Sequence, residues 1–388
     1  MSQIDTSSTS KPLQTQLLTP DGPGCLVIKA TLSPIAGVER FQPAGFPEIG
    51  HVIYDAPKRN AKDGEPSVEK ICIVDSPASM ANHLETVCLV GSGDLSLHAD
   101  LQGLPYVVCV TDPATGEVSF SAERANYRSV VSTLTEGHRL ASDYFLDGRR
   151  VAKGRPDDRP LREVLREGFQ IVEVKKDKTY FITTEAWWEV FRTIFQFDPN
   201  SLVHGLMFAK EQIKISRLLT AHMEAVGTRH VRRSGVKFDR LGKTTSGQPI
   251  FSVSEETASE IRATFILDLA LLRSFGRGQS GLNDAQKRLL LDLSLWKIKQ
   301  LLARPFRYRT QCHLKCDAVT LSTESQEDFA SELPAIAMGD SIKACKFAAD
   351  PITRVYYPAA DLFKAGKDEA DEASSSGDEE EGGEDEEQ

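Results

Sequence analysis

Asn283 to Arg304 reads NDAQKRLLLDLSLWKIKQLLAR, and the chain continues from Arg304 to Leu321 as RPFRYRTQCHLKCDAVTL. The first stretch predicts the clearest helix of the sequence. Its apolar residues at 289, 290, 293, 296, 298, 301 and 302 mostly share one side at 3.6 residues per turn, so that side is expected to lie on a sheet. The second stretch alternates in character and predicts a strand leaving the helix. Upstream, CLVIKATL (25–32) and KICIVDS (70–76) read as strands by their β-branched content. PASMANHLETVCLV follows as a helix with Ser76 as cap and Pro77 in its first turn. FQIVEVKKDKTYFITT (169–184) places two apolar runs around a polar turn, a hairpin signal, and EAWWEVFRTIFQF after it predicts a short amphipathic helix. Hairpins, few helices and no regular βαβ series predict an α+β fold. The segments 55–68 and 143–162 are rich in Gly, Pro and charge and read as surface insertions.

At 388 residues the chain can hold one large or two ordinary domains. Its longest apolar stretches, such as IRATFILDLALLRSF, are too short and too charged to span a bilayer. The polar start, MSQIDTSSTSKPLQTQLLTPDG, has no apolar signal core, so a cytoplasmic location with no membrane partner is expected. Seven scattered cysteines fit reduced thiols rather than a disulfide framework. Cys312, His313 and Cys316 raise the question of zinc, but a closed site needs four ligands and no second cysteine pair has suitable spacing. Alternation puts Cys312, Leu314 and Cys316 on one face, which is expected to be core. No metal or other cofactor is expected.

The formal charge of −10 hides two opposed regions. Residues 366–388, GKDEADEASSSGDEEEGGEDEEQ, hold twelve acids and one Lys, which leaves the rest of the chain near neutral with 45 bases against 44 acids. With no large apolar residue to bury, this end is expected to be a disordered tail, either a solubiliser or a competitor for basic patches. Against it stands TRHVRRSGVKFDRLGKT (228–244), with six Lys or Arg and a single Asp. Over His204 to Lys243 nine bases face three acids, with Gly227, Gly235 and Gly242 as flexible points. That excess suits a loop or long hairpin along a phosphate backbone, although charge alone equally allows a solvated loop.

Motifs of enzymatic chemistry are missing: there is no GxxxxGK[ST], GxSxG or HExxH. His204, His222 and His230 lie in or beside the basic segment and invite a histidine-based ribonuclease, but spacing fixes no partner acid for any of them. Asp239 alone is too few carboxylates for metal-dependent cleavage. No catalytic residue is assigned, and the chain is expected not to be an enzyme.

Four segments in order, GVERFQPAGFPEIGHVIYD (37–55), SPASMANHLETVC (76–88), FDPNSLVHGLMFA (197–209) and ISRLLTAHMEAVGTRHVRRSGVKFDRLG (215–242), resemble the CRISPR-associated RAMP protein of the type I-G (formerly I-U) Cascade backbone, the Cas-seven family. RATFILDLALLRSFG and LWKIKQLLARPFRYRTQCHL extend the resemblance over roughly residues 25 to 320, leaving the later region and the tail unmatched. The resemblance implies a modified RRM/ferredoxin-like palm with inserted finger and thumb elements. The domains then read as a flexible segment 1–24, an RNA-binding domain 25–365 with insertions at 55–68, 143–162 and 228–249, and the disordered tail 366–388. It further implies a non-catalytic subunit whose copies form a helical filament along CRISPR RNA, beside other Cascade subunits, and present its bases for pairing with target DNA. A RAMP-type endoribonuclease that processes precursor RNA or cuts RNA targets is the alternative.

A subunit that holds any spacer needs Lys and Arg on phosphates rather than amides on bases. The expected RNA contacts are Arg40 and Gln42 in the Pro-shaped RFQPAGFP loop, His138 and Arg139 in TEGHRLAS, His204, Arg217, and Arg229, His230, Arg232, Arg233, Lys237, Arg240 and Lys243 of the basic segment. Tyr54, Phe46 and Phe238 are candidates for stacking on bases.

Overall fold

In the strand Cys25–Pro34 (β1), Leu26, Ile28, Ala30 and Leu32 are buried while Lys29 and Thr31 are exposed, the period of two that marks a strand with one face on a core. The computed structural model describes residues 4–5, 11–35, 39–46, 49–58, 68–91, 94–121, 123–174, 179–233 and 253–362. Most of insertion 55–68, most of the basic segment beyond Arg233, and the acidic tail lie outside the described residues. The chain divides into two compact units, one of residues 1–103, 202–205 and 215–347, the other of 104–201, 206–214 and 348–388.

The first unit is built on a seven-stranded sheet. After β1 come Arg40–Phe41 (β2), Ile53–Pro57 (β3), Val68–Asp75 (β4), the helix Pro77–Thr86 (α1), then Leu219–Val226 (β5), Arg229–Arg233 (β6), Val253–Thr257 (β7) and Glu260–Asp268 (β8). The helices Leu269–Ser274 (α2) and Asp284–Leu302 (α3), the strands Phe306–Arg309 (β9) and Cys312–Ser322 (β10), and the helix Met338–Ala344 (α4) complete it. The sheet runs β9-β10-β1-β8-β5-β4-β3, with every neighbouring pair antiparallel. Within it, β1, α1, β5, β8, α3 and β10 follow one another as strand, helix, two strands, helix, strand, and the four strands lie in the order fourth, first, third, second. A smaller antiparallel sheet, β6-β7-β2, stands beside it.

The cap of α1 is as the sequence predicts, with Ser76 Oγ accepting from the Ser79 N–H at 3.3 Å and Pro77 opening the helix. Helix α3 starts with a reciprocal capping box. Asn283 Oδ1 accepts from the Gln286 N–H at 3.0 Å, and Gln286 Oε1 accepts from the Asn283 N–H at 2.9 Å. The one-sided burial expected of α3 is not what forms: residues 289–298 are buried all round. Helices α1, α2 and α4 pack on it, and α4 comes from the region beyond residue 320 that the resemblance left unmatched. Its polar residues are therefore internally bonded. Trp296 Nε1–H donates to Asp100 at 3.0 Å, Ser341 and Arg288 donate to Asp292 at 2.6 and 2.8 Å, and Lys297 Nζ lies 3.0 Å from His204 Nε2.

The strand expected over 304–321 is two strands. Gln311, with φ of 58°, turns the chain between β9 and β10. Cys312 and Leu314 are buried and His313 exposed, as alternation requires, whereas Cys316 is half-buried because the ladder with β1 slips a residue between Thr31 and Leu32. Gly205 needs its missing side chain: at φ of +74° a Cβ would stand 2.7 Å from the Ile215 carbonyl oxygen.

The second unit centres on a five-stranded sheet with strands Arg128–Ser132, Tyr106–Thr111, Ile352–Tyr356, Arg149–Ala152 and Arg155–Pro160 in that order. Its second strand, Tyr106–Thr111, lies between two neighbours and is buried along its whole length, in keeping with the mainly apolar run YVVCVT. The charged segment 143–162 contributes a short helix, Asp143–Leu146, and two of the strands. The predicted hairpin pairs Val172–Val174 with Thr179–Phe181, and the predicted amphipathic helix spans Trp187–Phe197. The fold is thus mixed α+β on antiparallel sheets, with one parallel pair between Ile352–Tyr356 and Tyr106–Thr111. Among the described residues no helix is long and apolar enough to cross a membrane.

Candidate nucleic-acid interface

The register of the small sheet brings two distant parts of the sequence into line. Arg40 of β2, Thr257 of β7 and Arg229 of β6 form one cross-strand row, and Phe41, Glu256 and His230 form the next. Because neighbouring rows face opposite ways, Arg40 and Arg229 share one face while His230 and Glu256 share the other. Arg229 is exposed, and the side chain of Arg40 is 42% exposed with its Nε 2.8 Å from the buried carboxylate of Glu255, an ion pair. That ion pair restrains the Arg40 side chain while leaving it part-exposed. Arg232 pairs with Ser254 and Arg233 with Val253 in the ladder, the last pair of β6 and β7 among the described residues. Lys237, Arg240, Lys243 and Phe238 lie outside the described residues.

The loop after β2 is tied to the large sheet by its backbone. Gln42 donates its N–H to the Gln311 carbonyl at 3.1 Å, and Ala44 donates to the Val74 carbonyl at 3.0 Å. Gln42 is half-buried, and Arg217, which is exposed, donates from Nη1 to the Pro77 carbonyl at 3.3 Å. These anchors converge on Asp75 at the end of β4. This fully buried carboxylate accepts from Arg309 at 2.6 Å, from His83 at 2.9 Å and from the Ser76 N–H at 3.0 Å.

The other predicted contacts have different surroundings. His204 is 1% exposed and faces Lys297 in the core, so its ring offers nothing to a phosphate on the surface. His138 and Arg139 belong to the second unit: His138 is exposed beside Glu136, at 3.3 Å, while Arg139 is buried with φ of 54°.

One polar surface escaped the sequence reading. On the outward face of the large sheet, His222, Thr264, Lys29 and Thr320 form one row, and Glu224, Arg262, Thr31 and Ala318 form the next. Lys29 and Thr31 are exposed, and His222, Glu224 and Arg262 are half-exposed. Arg262 donates to Glu224 at 3.1 Å, and the Tyr54 hydroxyl donates to the same carboxylate at 2.8 Å. Partial burial and that bond push the Tyr54 phenol above its ordinary value, so it remains a neutral donor with an exposed ring. The signal was present in CLVIKATL, where Lys29 and Thr31 occupy the positions alternate to Leu26, Ile28, Ala30 and Leu32. Cations, hydroxyls and an aromatic ring on a sheet face are groups that can meet a sugar–phosphate chain.

Fold and surface together define an α+β protein of antiparallel sheets with a part-exposed polar sheet face and the Arg-bearing strand pair β6–β7. The sequence profile of the family described as CRISPR-associated protein GSU0053 (Cas_GSU0053) matches residues 26–230, more than half of the chain. The chain belongs to that family. No curated protein matches it. Among solved structures, a chain of a "CRISPR RNA-guided surveillance complex, pre-nicking" aligns at 11% identity over 76% of this chain and 75% of that one, with a TM-score of 0.34.

Proposed function

We propose that this protein is a non-catalytic CRISPR RNA-binding backbone subunit of a Cascade effector of type I-G, working in the cytoplasm. Several copies stack along the guide, beside the other subunits, and offer its bases to target DNA. Family membership supports a CRISPR role, and the observation that carries the binding role is the alignment of Arg40 with Arg229 at the root of the basic segment. Four strands of the large sheet lie in the order expected of a ferredoxin-like palm, which supports that reading. Arg40, Gln42, Arg217, Arg229, Arg232, Arg233, Lys237, Arg240 and Lys243 hold phosphates on this reading, joined by Lys29 and Arg262 of the open sheet face. His138 of the second unit is a further contact, whereas burial takes His204 and Arg139 off the surface.

The endoribonuclease reading needs a histidine poised for proton transfer. The three histidines near the basic segment occupy three separate settings: His204 on Lys297, His222 at 4.0 Å from Glu224, and His230 on Glu256. Purification with the co-expressed partner subunits and a CRISPR array, followed by sequencing of bound RNA and native mass spectrometry, separates the two. Intact guide RNA with several copies per complex is expected. Sub-stoichiometric protein that turns precursor into product refutes the proposal.

A further inference from the structure

Glu256 presents a physical problem. Its side chain is 0% exposed, yet its side-chain partners among the described residues are two imidazoles on a single oxygen: His230 Nδ1 lies 2.7 Å and His51 Nδ1 3.1 Å from Oε1. The second oxygen, Oε2, is buried without a hydrogen-bond partner among the described residues. A buried carboxylate with one oxygen doubly loaded and the other bare is costly, because desolvation is offset at only one end. A cation between the three side chains removes that cost.

The geometry suits one. His51, His230 and Glu256 form the one group of three metal-ligand side chains among the described residues, with all ligand atoms within 4.8 Å of one another. Tetrahedral zinc with bonds of roughly 2.0–2.2 Å sets its ligands ~3.4 Å apart, so shifts on the order of 1 Å bring these atoms into place. The two rings stand edge to face, 6.1 Å between centroids at 71°, around the Glu256 oxygen. His230 and Glu256 are direct cross-strand neighbours on β6 and β7, and His51 arrives from the short strand pair Gly45–Phe46 and Gly50–His51.

We infer that His51, His230 and Glu256 bind a divalent transition-metal ion, Zn²⁺ foremost, clipping the root of the β6–β7 hairpin to the strand pair around His51. Two imidazoles and one carboxylate are a nitrogen and oxygen set that favours zinc over magnesium or calcium, and three protein ligands leave a coordination position for water or an anionic oxygen. The inference does not rest on RNA binding. It can fail while that reading stands, and the reverse.

The test uses the full chain, stripped with chelator and titrated with Zn²⁺ alone by calorimetry and with Co²⁺ by visible absorption. His230→Ala is the first variant, because the His230 side chain is 38% exposed and its loss leaves the core intact. His51→Ala is the second, and circular dichroism checks that both fold. We expect one tight Zn²⁺ per chain, weakened at least tenfold in each variant. Tetrahedral Co²⁺ bands should be lost in both, and Zn²⁺ at a hundredfold excess over the parent's Kd should raise the melting midpoint by about 5–10 °C in the parent and by no more than about half of that in either variant. Zn²⁺ binding of equal strength in parent and variants, which places the ion on the cysteines, overturns the inference. So does a chain that binds none.

Discussion

Replacing Arg309 by Met strikes the point where the large sheet, α1 and the loop carrying Arg40 are joined. Asp75 is fully buried and receives Arg309 at 2.6 Å, so the substitution deprives a buried carboxylate of its only permanently charged partner among the described residues. Removing one partner of a buried ion pair costs about 3–5 kcal/mol. Here His83 and the Ser76 N–H remain, and the Arg309 side chain is 28% exposed, which lowers the expectation to about 2–3 kcal/mol. For a unit of about 240 residues that is a fall of roughly 5–10 °C in melting midpoint. Trp296 reports on this unit alone if Trp187 and Trp188, which lie in the other, are first replaced by Phe. Urea unfolding followed by Trp296 fluorescence gives the free energy. The double variant Asp75→Asn with Arg309→Met removes both charges and should recover part of the loss, a coupling of about 1–2 kcal/mol. Arg309→Met within about 0.5 kcal/mol of the parent, or a cycle with no coupling, refutes the reasoning.

Other expectations concern binding, pH and the tail. Replacing Arg40 and Arg229 together by Ala should lower the slope of log affinity for single-stranded RNA against log salt by about 1.4, from two phosphate contacts at about 0.7 each; filter binding over a salt series measures it, and an unchanged slope takes the row out of the interface. Labelled precursor RNA should stay uncut between about pH 6 and 8, and cleavage that vanishes in His222→Ala or His230→Ala would establish a nuclease. In the second unit, the Tyr356 hydroxyl at 2.6 Å, and after it the Ala359 N–H at 2.8 Å, hold the Asp112 carboxyl below its ordinary value. A depressed folded value means the stabilisation is complete above the unfolded pKa of about 3.9 and is lost as pH falls through the folded one. Asp112→Asn should therefore flatten the acid limb of unfolding read from Trp187 and Trp188, and superimposable limbs count against the contact. Deleting residues 366–388 should strengthen RNA binding at low salt, with the gain fading as the screening length shortens to about 8 Å; equal affinities leave the tail a solubiliser.

The strands and helices were legible wherever one residue type dictates local geometry. Ser76 before Pro77 set the start of α1, and alternation in CLVIKATL set β1 together with its two faces. What stayed hidden depended on partners far away in the chain. Helix α3 read as one-sided because its sequence contains Asp292, Ser294 and Lys297, and polar letters suggest solvent. Those residues are buried only because Ser341 of α4, Leu290 of the preceding turn and His204 bond to them. The same remoteness hid Asp75, an ordinary strand-end acid until Arg309 arrives from β9.

The site shows the limit most sharply in residues that share one segment of sequence but face opposite ways. Arg229 and His230 are adjacent and were read together as phosphate contacts of one basic run. A strand sends neighbours to opposite faces, so pairing with β7 turns Arg229 toward Arg40 and His230 toward Glu256. A charge count along the chain sums what the pleat separates. The cation on one face is exposed, as the proposed phosphate contact requires, whereas the imidazole on the other is held by a buried carboxylate. Any account of the basic segment must therefore be made face by face, with register deciding which of its residues meet a polyanion and which hold the hairpin at its root.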